Sequence, residues 1–506
     1  MGAWLLWLGR DFWYFYDEWG FVTGRTLSLD GLLLPHNGHL SAFHSSLYVL
    51  LLRAFGADAY TVLRSIAIAV HLTVAFGAYL VVSRRKGRSW GMSALLIIGV
   101  LGTGWQNIFW PFQMSMMLPI AVAFLAVLVL QSRPDASWSV AGLVSLGLLA
   151  SGGGIPVFLG VMLHSVVVRA WRRLAILAGI GVVYVAWWVA YGEAQGHGFH
   201  PRVIARYVGE SSVLSTAAIG SRGARFGGML LIAGLIALAF TFRGRWREAP
   251  TLVLLTAVVT GWIFTGFSRW EFWEPGASRY LYVGGAYVAV LLLLSLPLPI
   301  GPTGNVFALF VTVVLVLPNA RLLRAESESF TSMTARMRAE LTVIDAAGDL
   351  GRPGYFPDED LAPQLDVGSY LSAREKYGDF GMSIDDAVAS PAEYRVQMDR
   401  VAFEYLGVTV RPAFVESGDP QCSWTHLERG EALPLAGSTV VLDHRAHTSI
   451  GLRMFGDRPS PATIVKLRGS GMTAVSASRP GRLPPWQLNV NKAAVVGVCQ
   501  GLAVEG

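Results

Sequence analysis

Two carboxylates stand side by side at Asp17-Glu18, and two histidines frame Asn37-Gly38 at His36 and His39. An ionised carboxylate in such a loop can act as general base toward a hydroxyl. The same pair can hold a divalent cation (Mg, Mn or Ca) that bridges a phosphate leaving group, so Asp17 and Glu18 are candidate metal ligands too. His36 and His39 can donate to phosphate or ligate a metal. The competing reading is a solvated loop bearing the interface aromatics Trp13, Tyr14, Tyr16 and Trp19. A second group occupies 268–282, where Arg269 and Arg279 can grip a phosphate bidentately and Tyr280 adjoins them. Arg and aromatics also anchor helix ends at a membrane surface, which is the plainer account of that loop. A third is Gln106-Asn107 within the aromatic stretch Trp105–Gln113: amides read sugar hydroxyls while rings stack on sugar faces, unless this is only an interfacial turn. A fourth is the loop from Glu193 to Arg206, with His197, His200 and Arg202, a solvated loop or a lid. Walker, GxSxG, HExxH and Rossmann motifs are all absent, which argues against a nucleotide-using cytoplasmic enzyme.

The elements that must position these groups are apolar. Of 506 residues, 53% are hydrophobic and 15% charged, well short of the usual charged quarter. Long apolar runs fill about 58–318, and composition turns ordinary after 320. This divides the chain into a transmembrane domain at 1–320 and a soluble domain at 321–506. The net charge of +6 comes mainly from Arg placed between apolar runs, a topology signal rather than a nucleic-acid surface, so no nucleic-acid partner is expected and the lipid bilayer is.

Ten candidate spans follow, at about 60–83, 91–105, 113–131, 138–150, 153–169, 174–191, 227–242, 250–267, 279–297 and 303–318. The fourth and fifth could form a hairpin broken at Ser151–Pro156. Arg84, Arg85, Lys86 and Arg88, then Arg133, then Arg169, Arg172 and Arg173, then Arg243, Arg245 and Arg247 all fall on one side when the spans are counted off. That side is the cytoplasm by the positive-inside rule. Residues 11–57, 106–112, the glycine break, 192–226, 268–278 and everything beyond 318 are then extracytoplasmic, in a multi-pass plasma-membrane protein. Residues 40–56 are amphipathic and read as an interfacial helix. Met1–Leu8 is too short to span, so a first helix is expected to be missing. His71 and His164 lie within spans and read as neutral histidines hydrogen-bonded to a neighbouring helix.

The soluble domain starts with a helical stretch at 328–347, where Met333, Met337, Leu341 and Ile344 recur at helical spacing. Short β-type runs follow at 408–410, 438–442, 449–455, 462–467, 487–490 and 494–498, a spacing that suggests a β-sandwich or jelly-roll. Cys422 and Cys499, both in this domain, form either a disulfide in an oxidising compartment or two buried thiols. Asp358-Glu359-Asp360 lacks EF-hand spacing and reads as a solvated turn rather than a calcium site. Trp424 and Trp486 suit sugar stacking or core packing equally.

The segment Asp11-Phe12-Trp13-Tyr14-Phe15-Tyr16-Asp17-Glu18-Trp19, followed by His36-Asn37-Gly38-His39 and an interfacial helix, resembles the first extracytoplasmic loop of GT-C glycosyltransferases. The layout over roughly 11–320 and the β-rich C-terminus look like actinobacterial cell-envelope members of that superfamily. The resemblance implies an α-helical polytopic GT-C-like domain followed by an extracytoplasmic mainly-β domain. It implies transfer of a hexose or pentose from a polyprenyl-phosphate donor to a cell-envelope glycan or glycolipid, with Asp17 as catalytic base and Glu18 assisting or holding metal. The chain departs from the family in lacking the span that normally precedes the acidic loop, a departure that bears on whether the chain as written is active. The other classes that fit are a non-catalytic membrane-anchored glycan-binding protein and, less well because the spans carry few charges, a lipid or solute transporter.

Overall fold

The computed structural model describes every residue except 193–199, 414–421, 436–438, 468, 479–481 and 500–506. Glu193, His197 and Ser438, singled out above, lie outside the described residues. The chain is mostly helical, 66%, with a β-sheet region at its C-terminal end. In chain order the helices are α1 (Gly2–Leu8), α2 (Glu18–Gly24), α3 (Leu29–Leu33), α4 (Ala42–Phe55), α5 (Ala59–Lys86), α6 (Arg88–Gly99), α7 (Trp105–Phe109), α8 (Met114–Ser132), α9 (Ser137–Ala150), α10 (Gly154–Val167), α11 (Trp171–Tyr191), α12 (Pro201–Ala218), α13 (Ala224–Arg245), α14 (Ala249–Arg269), α15 (Ser278–Ser295), α16 (Pro302–Ala347), α17 (Val367–Tyr377), α18 (Ile384–Ala389) and α19 (Ala392–Leu406).

Each of the ten expected spans has a helix, but among the described residues six helical stretches are long and apolar enough to cross a membrane, or seven if the bent pair Arg88–Gly99 and Gly102–Phe109 is one span. Two of the interruptions lie at glycines. α6 stops at Gly99 ahead of a 3-10 turn at Gly102–Gly104, and α9 and α10 are separated at Ser151–Gly153. There the Ser151 hydroxyl donates to Ser115 O at 2.6 Å and accepts from Gly153 N–H at 3.2 Å, replacing part of the broken helix ladder. Two expectations need correction. The 192–226 segment is not simply a loop, because α12 occupies it and buries Ile204, Tyr207, Ser211 and Ser215 at near-helical spacing. The helix expected at 328–347 is not separate, because α16 runs unbroken through Pro318.

The chain forms two compact units. The first comprises Met1–Asp11, Arg25–Ala54 and Asp58–Thr331, and the second Phe12–Gly24, Phe55–Ala57 and Ser332–Gly506. The division therefore falls at 331/332 rather than at 320, and the segment carrying Asp17 and Glu18 belongs to the second unit.

Within the first unit the loops sort to two ends, as the charge pattern requires. At one end the basic residues after α5 reach other helix ends. Arg84 donates to Leu128 O at 3.1 Å, Lys86 to Leu296 O at 2.7 Å, and Arg85 pairs with Glu248. Arg173 donates to Pro134 O at 3.0 Å. Cations on the exposed carbonyls at helix C-termini also complement the helix dipoles. The buried histidine of α5 is structural, as expected: His71 Nε2 meets Gly99 O at 3.1 Å and Nδ1 meets the Tyr282 hydroxyl at 2.7 Å.

In the second unit nine strands follow α19: β1 (Val408–Pro412), β2 (Cys422–Leu427), β3 (Ala432–Leu435), β4 (Thr439–His444), β5 (Ser449–Arg453), β6 (Ile464–Lys466), β7 (Gly471–Ala477), β8 (Trp486–Val490) and β9 (Ala494–Cys499). They pair antiparallel in two sheets, ordered β1-β7-β4-β9-β2 and β3-β8-β5-β6. β8 shows the two-residue period plainly: Trp486, Leu488 and Val490 are buried while Gln487 and Asn489 are not. Trp486 is thus a core residue, with its indole N–H donating to Ser478 O at 3.0 Å, rather than a sugar-stacking one. Cys422 and Cys499 stand opposite each other on β2 and β9 and form a disulfide. Asp399 of α19 is fully buried and accepts from the N–H groups of Met454, Phe455 and Gly456 at 2.6, 2.8 and 2.9 Å, which ties the end of β5 to the helix.

Candidate functional site

The end of the first unit opposite the basic clusters gathers most of the residues singled out for binding. Its centre is a tight turn. Asn37 and Gly38 have φ of 50° and 75°, the left-handed pair that a two-residue hairpin turn requires. His36 and His39 exchange both backbone hydrogen bonds across it, at 2.9 and 3.0 Å. Directly opposed residues of a hairpin project to the same face, so the turn aims both imidazoles one way. Arg25 braces the approach, donating to Leu34 O at 2.8 Å and Pro35 O at 2.7 Å. The His36 ring packs edge-on against Phe112, 5.4 Å between centroids. His39 presses on the glycine break: a Cβ on Gly152 would sit 2.5 Å from its Nδ1, so only glycine leaves the ring room.

Both imidazoles are held neutral. Burial, then the nearby Arg25 and His39, brings His36 down to about 4, and burial followed by the Arg269 charge brings His39 to about 4. The turn and the 268–282 loop are therefore electrostatic neighbours. In that loop the Arg279 guanidinium pairs with Glu274 at 2.6 Å and lies 4.9 Å from the Tyr280 ring centroid. Its backbone N–H reaches Gln106 Oε1 at 3.3 Å, and Gln106 N–H donates to Ser278 Oγ at 3.1 Å. Gln106 thus pins α7 to the start of α15. Trp270 packs on His200 at 4.7 Å, and Arg206 lies 4.8 Å from the Trp273 ring centroid, so α12 borders the same loop.

Several polar groups here are buried without a hydrogen-bond partner among the described residues. Asn107 is fully buried with both amide atoms unpartnered, as is Gln113 at Oε1. On α4 and the residue before it, Ser41, His44 and Ser45 share one face at helical spacing and are 5%, 0% and 0% exposed, and the two serine hydroxyls have no such partner. Each orphaned group costs about 1–3 kcal/mol unless water or a ligand meets it. A protein interior keeps such a set where a polar molecule enters.

The acidic pair belongs to the second unit. Tyr16, immediately before it, has φ of 50°, a conformation that costs a bulky residue energy, and its N–H donates to Leu361 O at 3.0 Å. Asp17 is half-buried and accepts from Gln364 Nε2 at 3.3 Å. Glu18 is fully buried and its Oε2 accepts from Phe15 N–H at 2.9 Å, in the turn ahead of the helix it begins. That oxygen serves the backbone, and among the described residues no group of three or more His, Cys, Asp or Glu could hold a metal ion.

Of the expected residues, the structure brings together His36, His39 and Arg269, and separately Arg279, Tyr280 and Gln106. Asn107 lies on the same short helix as Gln106. Arg25, His44 and Gln113 were not anticipated. The Asn37-Gly38 dipeptide, the strongest short hairpin signal there is, could have revealed the histidine pairing, whereas Arg25 acts through backbone carbonyls that leave no sequence trace. No protein-family model matches the chain, and no curated protein or solved structure is similar to it.

Proposed function

We propose that the chain is an integral membrane glycosyltransferase of the GT-C kind, moving a sugar from a polyprenyl-phosphate donor to a cell-envelope glycan or glycolipid on the extracytoplasmic face of the plasma membrane. The observation that carries this reading is the polar end of the first unit. Two neutral histidines and two arginines cluster at helix mouths, with unpaired amides and hydroxyls buried nearby and the basic topology clusters at the opposite end. A lipid-linked donor offers a phosphate at the depth of the headgroups and a sugar rich in hydroxyls. Arg269 and Arg279 would compensate the charge of the departing phosphate, Arg279 by exchanging its Glu274 partner for phosphate. Neutral imidazoles at His36 and His39 would each donate one hydrogen bond without adding charge. Asp17 takes the role of general base toward the acceptor hydroxyl on the strength of the GT-C resemblance. No step is routed through a metal.

The test is turnover by the full chain in nanodiscs with polyprenyl-phosphate pentose and hexose donors. Asp17→Asn should lower kcat at least about 100-fold with the fold intact. Arg279→Gln should chiefly raise KM for the donor. Retained turnover in Asp17→Asn removes the base, and no transfer by the wild type from any donor removes the transferase reading.

A further inference from the structure

A polar cavity lies wholly inside the second unit, and none of its lining residues is among those given a role above. It measures about 690 Å³, within the range typical of small-molecule sites. Its wall is a chain of alternating charges. Arg336 donates to Glu340 Oε1 at 3.2 Å and pairs with Asp358 Oδ2 at 2.5 Å. Arg400 donates to the same Glu340 oxygen at 3.1 Å, to Pro357 O at 2.8 Å and to Glu404 Oε2 at 3.2 Å, and the Tyr355 hydroxyl donates to that Glu404 oxygen at 2.7 Å. Behind this wall Glu340 is fully buried, and its Oε2 meets no donor among the described residues. Arg352, Glu359 and Asp360 form an exposed rim, and Phe356 lines the cavity beside Tyr355. Asp358 itself is buried and accepts from Asp360 N–H and Leu361 N–H, both at 3.0 Å, so the acidic run is a turn solvated at Glu359 and Asp360 but not at Asp358.

The lining selects a chemistry. Three guanidinium groups would repel a bare metal cation, and four carboxylates would repel a phosphate or other polyanion. An apolar ligand would strand the charged wall without water. A neutral polyol satisfies it, because each hydroxyl gives one hydrogen bond to a carboxylate and accepts one from a guanidinium. The aromatic members supply a flat face for the C–H side of a sugar ring. We propose that this cavity binds a neutral oligosaccharide. The inference does not rest on the transferase reading, since a glycan-binding anchor without catalysis would use the cavity equally.

The experiment is saturation-transfer difference NMR on the full chain in nanodiscs with maltotetraose and xylotetraose as neutral probes. Trigalacturonate and calcium chloride serve as charged competitors. The wild type should transfer saturation to at least one neutral probe, and neither competitor should displace it. Glu404→Gln and the rim variant Arg352→Ala should each weaken binding by about tenfold, the worth of one charged hydrogen bond, with thermal unfolding unchanged. Arg352→Ala keeps the proposal testable if Glu404→Gln disturbs the packed wall. The proposal is overturned by no transfer to either neutral probe, by binding that both variants leave intact, or by displacement with trigalacturonate or calcium.

Discussion

Acidification should loosen the first unit at the His36–His39 turn. An unfolded imidazole takes up its proton below about 6.5, whereas His36 in the fold stays neutral until about 4. Between those values the unfolded chain binds more protons, so stability is full above the unfolded value and is lost as pH falls. The gap of about 2.5 pH units, at about 1.4 kcal/mol each, sets a limit of about 3.5 kcal/mol for His36, of which about 2 kcal/mol is already lost at pH 5. His39 works in the same direction. Arg25 and Arg269, both cations, act on the turn and oppose protonation of its imidazoles. The assay is tryptophan-monitored thermal unfolding of the full chain in nanodiscs from pH 7.5 to 5, wild type against a His36→Gln, His39→Gln double variant. The wild-type Tm should fall steadily below pH 6.5 and the variant's much less. A flat wild-type profile, or an equal fall in the variant, refutes the reasoning. Arg269→Gln supplies the internal control: with the cation gone, His39 should titrate higher in the fold, and the fall in Tm below pH 6.5 should be smaller than in the wild type.

Two further outcomes follow from the second unit. Asp399→Ala leaves three buried N–H donors unmet at the end of β5 and should cost about 3 kcal/mol or more, read as a fall in Tm; Asp399→Asn, which keeps an acceptor oxygen, should cost less. Reduction of the Cys422–Cys499 bond, which closes a separation of 77 residues, should destabilise this unit by about 4–5 kcal/mol in the chain-entropy account. Alkylation of both thiols in the folded, unreduced protein would show that the bond does not form.

The helices of the first unit were legible because apolar runs and basic clusters are long-range features of composition. What escaped was set by short-range geometry. α12 hides in a segment rich in Ser, Gly and Arg, although Pro201 at its first turn and the spacing of Ile204, Tyr207 and Ser211 mark it. Three strands were missed for separate reasons: β2 carries polar residues, β3 contains Pro434, and β7 is built of small ones with weak strand preference. The binding residues were found by type, but their grouping was not. Nothing in the spacing of Arg269 and His39 along the chain announces that one charge acts on the other. Glu18 shows the reverse limit, since nothing in its adjacency to Asp17 announces that one of its oxygens accepts from Phe15 N–H.

The order of strands carries a consequence for how the C-terminal sheets behave among copies of themselves. An outermost strand offers unpaired N–H and C=O groups to any passing strand. β1 contains Pro412 and β3 contains Pro434, and both stand at margins where a missing N–H breaks the template, while β6 is only three residues long. The remaining margin, β2, has neither protection, and it is the strand stapled to its neighbour by Cys422–Cys499. Among the described residues the disulfide thus ties down the border least protected from strand exchange, and a chain that misses this oxidation holds β2 to its neighbour by the ladder alone.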